Sequence, residues 1–231
     1  VSAAAPTQLD HLVVAARTLD EGVAWCEATL GVTPGPGGEH ALFGTHNRLL
    51  RLDTPDAPRA YLEIIAIDPA ATPARGGCLK RWFDLDDAAL QHTMAEQGPQ
   101  LVHWVASVPD LAAACTALRG LGIDRGPVLA ASRPTPLGLL RWRITVRDDG
   151  QRLMGGTLPT LIQWGDTHPT SNMADSGLNL SAFTLRHPEP DTLRRAMAAV
   201  GLDGIAVEAG APALHATLQT PRGTVLLGTA G

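Results

Sequence analysis

The chain has 231 residues, a net charge of −5, 45% hydrophobic and 18% charged residues. It is long enough to bury a substantial core and ordinary in composition for a globular protein. It has no basic stretch long enough to track a phosphate backbone, which disfavours nucleic acid as a partner. No apolar run approaches the roughly 18–20 residues that span a bilayer, which disfavours a membrane. No basic-then-apolar leader precedes the first strand, and Cys26, Cys78 and Cys115 form no C-x-x-C pair. Both features fit a reduced, cytoplasmic chain.

An internal repeat organises the sequence. Residues 8–16 read as a short buried strand containing one histidine, His11. A helix from Asp20 carries Val23, Trp25, Cys26 and Leu30 at helical spacing and ends at Gly31. Pro34 to Gly38 reads as a turn or loop. It follows a helix and opens none, so it is a poor dinucleotide fingerprint. Strands are expected at His40–Gly44, Asn47–Asp53 and Ala60–Ile67. These make a first strand–helix–three-strand module over 8–67. Residues 68–100 read as a connector with a helix using Trp82, Phe83, Leu85, Leu90 and Met94.

The same order returns over 101–165. A strand with His103 is followed by a helix at 110–120 and strands near Val128–Ser132, 138–147 and 160–164. Residues 165–177 are polar and read as a linker. A third unit over 178–231 repeats the order without a histidine in its first strand. The fold class expected is therefore α+β, with paired βαβββ modules and a third βαβββ-like unit at the C-terminus. That unit either pairs with a second copy in a homodimer or covers one side of the first two.

Alternation along strands assigns faces. In 138–147, Leu140, Trp142, Ile144 and Val146 oppose Arg141, Arg143 and Thr145. An unpaired buried charge is costly, so the arginines are expected on the concave side, away from the helix. By the same logic Leu12, Val14 and Ala16 pack under the first helix, leaving His11 on the concave side. Val102, Trp104 and Ala106 leave His103 there. Each module then has one histidine on its first strand and one acid or amide on its last, Glu63 or Gln163. If the modules pair, these four side chains converge.

Five segments carry a family resemblance: Leu9-Asp10-His11-Leu12-Val13-Val14, Gly44-Thr45-His46-Asn47, Tyr61-Leu62-Glu63-Ile64-Ile65, Leu140-Arg141-Trp142-Arg143 and Leu161-Ile162-Gln163-Trp164-Gly165. Together they resemble the bacterial glyoxalase-like domain proteins of the vicinal oxygen chelate superfamily. That superfamily includes glyoxalases, extradiol dioxygenases, epimerases and antibiotic-resistance binding proteins. The resemblance spans residues 8–170. It implies paired modules and a metal held by His11, Glu63, His103 and Gln163. Such a nitrogen and oxygen donor set suits Zn, Ni, Fe, Mn or Co. Gln163 departs from the stricter pattern, which has glutamate there and with it a carboxylate base.

Two functions are open. One is a metal-dependent lyase, isomerase or dioxygenase acting on a small, oxygen-rich, anionic substrate. Arg141, Arg143 and Asn47 would then bind the substrate, and His46 would act as acid or base. The other is a metal-free protein of the bleomycin-resistance type that binds or sequesters a small molecule. His40, His92, His168, His187 and His215 are assigned no role.

Overall fold

In a computed structural model, residues 6–76 and 79–229 are described. Cys78 lies outside them. The first module is β1 (Gln8–Ala15), α1 (Leu19–Leu30), β2 (Gly35–His40), β3 (Thr45–Asp53) and β4 (Tyr61–Ile67). The connector holds α2 (Ala88–Gln97). The second module is β5 (Gln100–Ser107), α3 (Leu111–Gly120), β6 (Val128–Thr135), β7 (Gly138–Thr145) and β8 (Thr160–Trp164). The third unit is β9 (Leu178–His187), α4 (Pro190–Ala199), β10 (Ala206–Ala209), β11 (Ala213–Thr220) and β12 (Gly223–Gly228).

The fold is α+β, and the strands make one continuous sheet. In each of the first two modules the last strand runs parallel beside the first, β4 on β1 and β8 on β5. β1 and β5 join the modules antiparallel at the centre. The third unit keeps the element order but pairs differently. β10 lies parallel to β9 on one side, β11 is antiparallel on the other, and β12 is outermost. β9 docks on the end of β3 through Leu52 and Asp53. This unit covers the helix side of the first two: Phe183 meets Trp104 edge-on at 5.3 Å, and Leu193, Met197, Leu214 and Leu218 join their core.

Helix starts and stops are local. Thr18 accepts from the Glu21 N–H to cap α1, and Gly31 closes it in the left-handed region. Asp110 caps α3 by accepting from the Ala112 and Ala113 N–H groups. Leu9, Leu12 and Val14 pack under α1, and Leu101, Trp104 and Ala106 under α3. A second core fills the concave side, where Val13, Ala15, Val102 and Val105 meet Ile65 and Ile162.

The pairing of β1 with β5 contains two register shifts. Leu9 faces Ala106 and His11 faces Val105, so Asp10 is skipped. Val13 faces His103 and Val14 faces Leu101, so Val102 is skipped. A bulged residue leaves strict alternation and re-aims its side chain. Val102 therefore joins the concave core instead of packing under α3 as expected.

Three further expectations are corrected. The glycine-rich segment after α1 is a strand, β2, and residues 41–44 form the turn expected to be strand. Gly37 and Gly38 make this possible by close approach: a Cβ on Gly37 would lie 2.0 Å from the Asn47 carbonyl oxygen, and one on Gly38 would lie 2.2 Å from Arg133 Nη1. Trp82, Phe83 and Leu85 precede α2 in turns. Phe83 and Asp84 take φ of 60° and 58°, a left-handed backbone that no helix continues through. Trp82 stacks on Phe43 at 3.9 Å and on Phe83 at 4.9 Å, plugging the cup. Finally, Leu140, Trp142, Ile144 and Val146 face the cup, and Arg141 and Arg143 point out to solvent. With the plug supplying apolar partners inside, the cup takes the apolar set of β7.

Replacing Gly37 with Ala is expected to destabilise the fold by about 1–3 kcal/mol, the usual cost of overpacking. Thermal and urea denaturation of the variant check this.

Candidate functional site

The bulge puts two adjacent residues, Asp10 and His11, on the same concave face. Asp10 is 1% exposed. Its Oδ1 accepts from His11 Nδ1–H at 2.7 Å. Its Oδ2 accepts from Trp164 Nε1–H at 2.8 Å and from His168 Nε2–H at 3.1 Å. Burial pushes this carboxyl up, but the hydrogen bonds from His11 and His168 outweigh it and hold the group ionised. The His168 ring is oriented in turn by Thr170, whose N–H donates to Nδ1.

With Nδ1–H committed to Asp10, His11 presents Nε2 to the cup. Glu63 Oε2 lies 3.6 Å from it. The other Glu63 oxygen accepts from Asn47 Nδ2 at 2.6 Å. Asn47 Oδ1 accepts from the Gly38 N–H at 2.9 Å and from Arg133 Nη1 at 3.3 Å. Arg133 is buried and lies in electrostatic reach of Glu63 and Tyr61. The Tyr61 ring stacks on His11 at 4.5 Å. Burial, then Asp10 and Glu63, push its hydroxyl well above the ordinary range, so it stays a neutral phenol. His40 donates from Nδ1 to Thr45 Oγ1 at 3.0 Å and accepts from Asn47 at Nε2. Burial, helped by the charge of Arg133, pushes its pKa down to about 3.

His11, His40, Asn47, Tyr61, Glu63 and Arg133 line an inner cavity of about 30 Å3 with Trp82, Phe83 and Trp142. An outer cavity of about 640 Å3 shares His40, Trp142 and Trp164 with it and carries Arg141, Arg143 and Ser132 among its lining.

The structure brings His11, Glu63 and Asn47 together. It does not bring His103, Gln163 or His46 to them. His103 is fully buried, with Nδ1–H donating to the Gly156 carbonyl at 3.0 Å. Its Nε2 accepts from the Thr160 N–H at 3.2 Å and meets Thr160 Oγ1 at 3.0 Å. Both ring nitrogens are thus used. Gln163 donates to the Pro109 carbonyl at 2.8 Å and accepts from the Leu111 N–H at 3.3 Å, at the start of α3. The register explains the error. Val13 pairs with Glu63 on β4, and Val105 pairs with Thr160 on β8, so Thr160 holds the place of Glu63. Gln163, three residues on, points to the other face. His46 also faces away, since Thr45 and Asn47 take the concave positions of β3. Arg141 and Arg143 sit at the exposed border of the outer cavity.

The four-residue metal set therefore does not fit. His11 and Glu63 remain as two donors, with the Arg133 guanidinium bonded to Asn47 beside them. Among the described residues no group of three or more His, Cys, Asp and Glu side chains is arranged to hold a metal ion. Asp10, Arg133, His40 and His168 were missed. The first was hidden by the bulge. The Gly37-Gly38 pair, which admits Asn47 and Arg133, was the one available hint of the second.

Paired modules meeting along their first strands, with a polar cup on the concave face, define a protein of the vicinal oxygen chelate class. A family model described as "Glyoxalase-like domain" matches residues 9–201, and the chain belongs to that family. A crystal structure of a hypothetical protein from Staphylococcus aureus shares the fold at 14% identity, covering 96% of this chain and 85% of that one, with a TM-score of 0.57. Streptomyces coelicolor methylmalonyl-CoA epimerase in complex with 2-nitronate-propionyl-CoA matches at 21% identity, covering 69% and 94%, with a TM-score of 0.40. The Mycobacterium tuberculosis methylmalonyl-CoA epimerase matches at 19%, covering 71% and 90%, with a TM-score of 0.38. No match is found among curated proteins. No helix of the described residues is long and apolar enough to cross a membrane.

The buried neutral imidazole of His40 sets a pH dependence. Its pKa falls from 6.5 to about 3 on folding, so the unfolded chain takes up the proton first. Stability is expected to be full above about pH 6.5 and to fall as pH drops toward 3. His103, also held neutral by burial, and Asp10, whose ionised form the fold favours, add to the same acid loss. His40→Gln keeps a donor and an acceptor without the titration. Urea denaturation at pH 4 and pH 7 should show a smaller difference for this variant than for the wild type.

Proposed function

We propose that the chain is a metal-independent acid–base enzyme of the isomerase or lyase type, acting on a small anionic molecule that carries a carbonyl or carboxyl group. The observation that carries this reading is the line Asp10–His11–Glu63, with 2.7 Å and 3.6 Å separations and a free Nε2 and Oε2 facing each other. Asp10 fixes the tautomer and orientation of His11 and stabilises the imidazolium when it forms, the part a carboxylate plays behind a catalytic histidine. Asn47 does the corresponding work for Glu63 by occupying one oxygen and leaving the other.

The 3.6 Å spacing leaves no room for a carbon atom between the two groups. They act on one face of the substrate, not on opposite faces. One takes the proton from carbon next to the carbonyl, the electron pair moves to the carbonyl oxygen, and the proton is returned at the adjacent position or lost with a leaving group. Arg133 supplies the positive charge beside the developing oxyanion. The inner cavity admits one polar group, and the outer cavity takes the rest of the molecule, where Arg141 or Arg143 meets a second anionic group.

The reaction class is testable without knowing the substrate. Small 2-oxo acids, hydroxyketones and acyl thioesters are incubated with the protein in D2O, and deuterium incorporation next to the carbonyl is followed by NMR. Exchange is expected with at least one class. It should fall by roughly 10²–10⁴ in His11→Gln and Glu63→Gln, the usual worth of a positioned acid or base. Exchange that persists in both variants would sink the assignment, as would exchange that depends on added metal and vanishes with a chelator.

A further inference from the structure

The second module contains the counterpart of this site, with its charge reversed. His103 stands at the position of His11, Thr160 at that of Glu63, and the bulged Val102 at that of Asp10. Both carboxylates of the first site are therefore replaced by neutral side chains. A buried basic side chain stands beside them. Arg125 is 4% exposed, and its Nη2 donates to Thr160 Oγ1 at 2.7 Å. Its Nε and Nη1 have no hydrogen-bond partner among the described residues.

Neighbouring charges do not relieve it. Arg152 is committed to Asp84 Oδ2 at 2.7 Å and to the Val102 carbonyl at 2.5 Å. Arg147 is paired with Asp149 at 2.6 Å. The Asp124 carboxylate accepts from the Gly126 N–H. Cys115 lies in electrostatic reach of Arg125, but burial pushes its thiol up and keeps it neutral. A buried guanidinium with two unmet donors and no counter-ion among the described residues is strongly unfavourable. Arg125 borders a small cavity together with Arg152, Thr145, Thr160 and the plug residues Trp82 and Phe83.

We propose that this cavity is a binding site for a small inorganic anion, held by Arg125 Nε and Nη1 with Arg152 close by. Size selects among anions. The space is about 10 Å3, about what one water-sized sphere needs. A halide is the common anion nearest this size, and phosphate and sulfate exceed it. Chloride is the occupant the chemistry favours. It supplies the negative charge that Glu63 and Asp10 supply in the first module.

Two measurements test this. First, melting temperature is compared in sodium chloride and sodium gluconate at equal ionic strength, for the wild type and Arg125→Met. An anion bound only by the folded state raises the melting temperature as its concentration exceeds the dissociation constant. The wild type is expected to gain a few degrees in chloride, saturably, and the variant none. Second, wild-type crystals soaked in sodium bromide are expected to show an anomalous peak beside Arg125 and Thr160. This readout stands even if the variant does not fold. The proposal is overturned by equal melting temperatures in the two salts, by an equal chloride effect in Arg125→Met, or by the absence of bromide at that place, which would leave water as the occupant.

Discussion

The buried carboxylate of Asp10 is the interaction on which the rest of the site depends. It lies at the seam of the two modules and accepts hydrogen bonds from three separate segments: His11 on its own strand, Trp164 at the end of β8, and His168 in the strap that leads to the third unit. An ion this deeply buried is tolerable only because its lone pairs are met. The consequence runs both ways. The segments are held in place by the charge, and the charge is kept ionised by the segments. His11 inherits a fixed tautomer from this arrangement, and the strap brings Pro169 to the wall of the inner cavity.

The bulge is the backbone feature that lets this happen. Without the extra residue between Leu9 and His11, a side chain at position 10 would point under α1 into an apolar core. The same irregularity recurs at Val102 in the second module, where it delivers an apolar side chain to the concave face. The two modules have thus kept the same backbone and exchanged its chemistry. One carries Asp10, His11 and Glu63 facing Arg133. The other carries Val102, His103 and Thr160 facing Arg125 and Arg152. The first is a balanced set of acids and bases with an open imidazole nitrogen. The second is a locked histidine beside an unbalanced cation.

The modules themselves were legible because their signals are periodic. Alternating strands, apolar helix faces and closing glycines repeat from Leu9 to Leu30 and from Leu101 to Leu121, and they survive averaging over many residues. The site was legible only where alternation held. Alternation puts His11 and Glu63 on the concave face, where the structure also has them. It misses Asp10, because one inserted residue inverts parity locally. Gln163 was chosen for its polar side chain, whereas the strand register assigns the equivalent place to Thr160. The direction of β7 was misjudged for a related reason. Charge avoids the helix-packed face only where a helix covers the strand. The β7 arginines face solvent. The plug of Trp82 and Phe83 makes the cup the apolar side there.

That plug also shapes the chemistry. A wide cup lined by two histidines, a carboxylate and an amide is what the sequence pattern suggests, and it would suit a chelated metal. The stacked Phe43, Trp82 and Phe83 reduce the inner space to the size of one functional group. In so small a volume electrostatic interactions are strong, and the proposed function rests on a single cation beside the developing oxyanion. Arg133 stands at that place, anchored by Asn47 and admitted by the missing side chain of Gly38. A dication held by His11 and Glu63 would have to share this volume with a guanidinium, at a like-charge cost that no further ligand among the described residues is positioned to offset. The residues that crowd a metal here are the ones on which the proposed proton transfer rests.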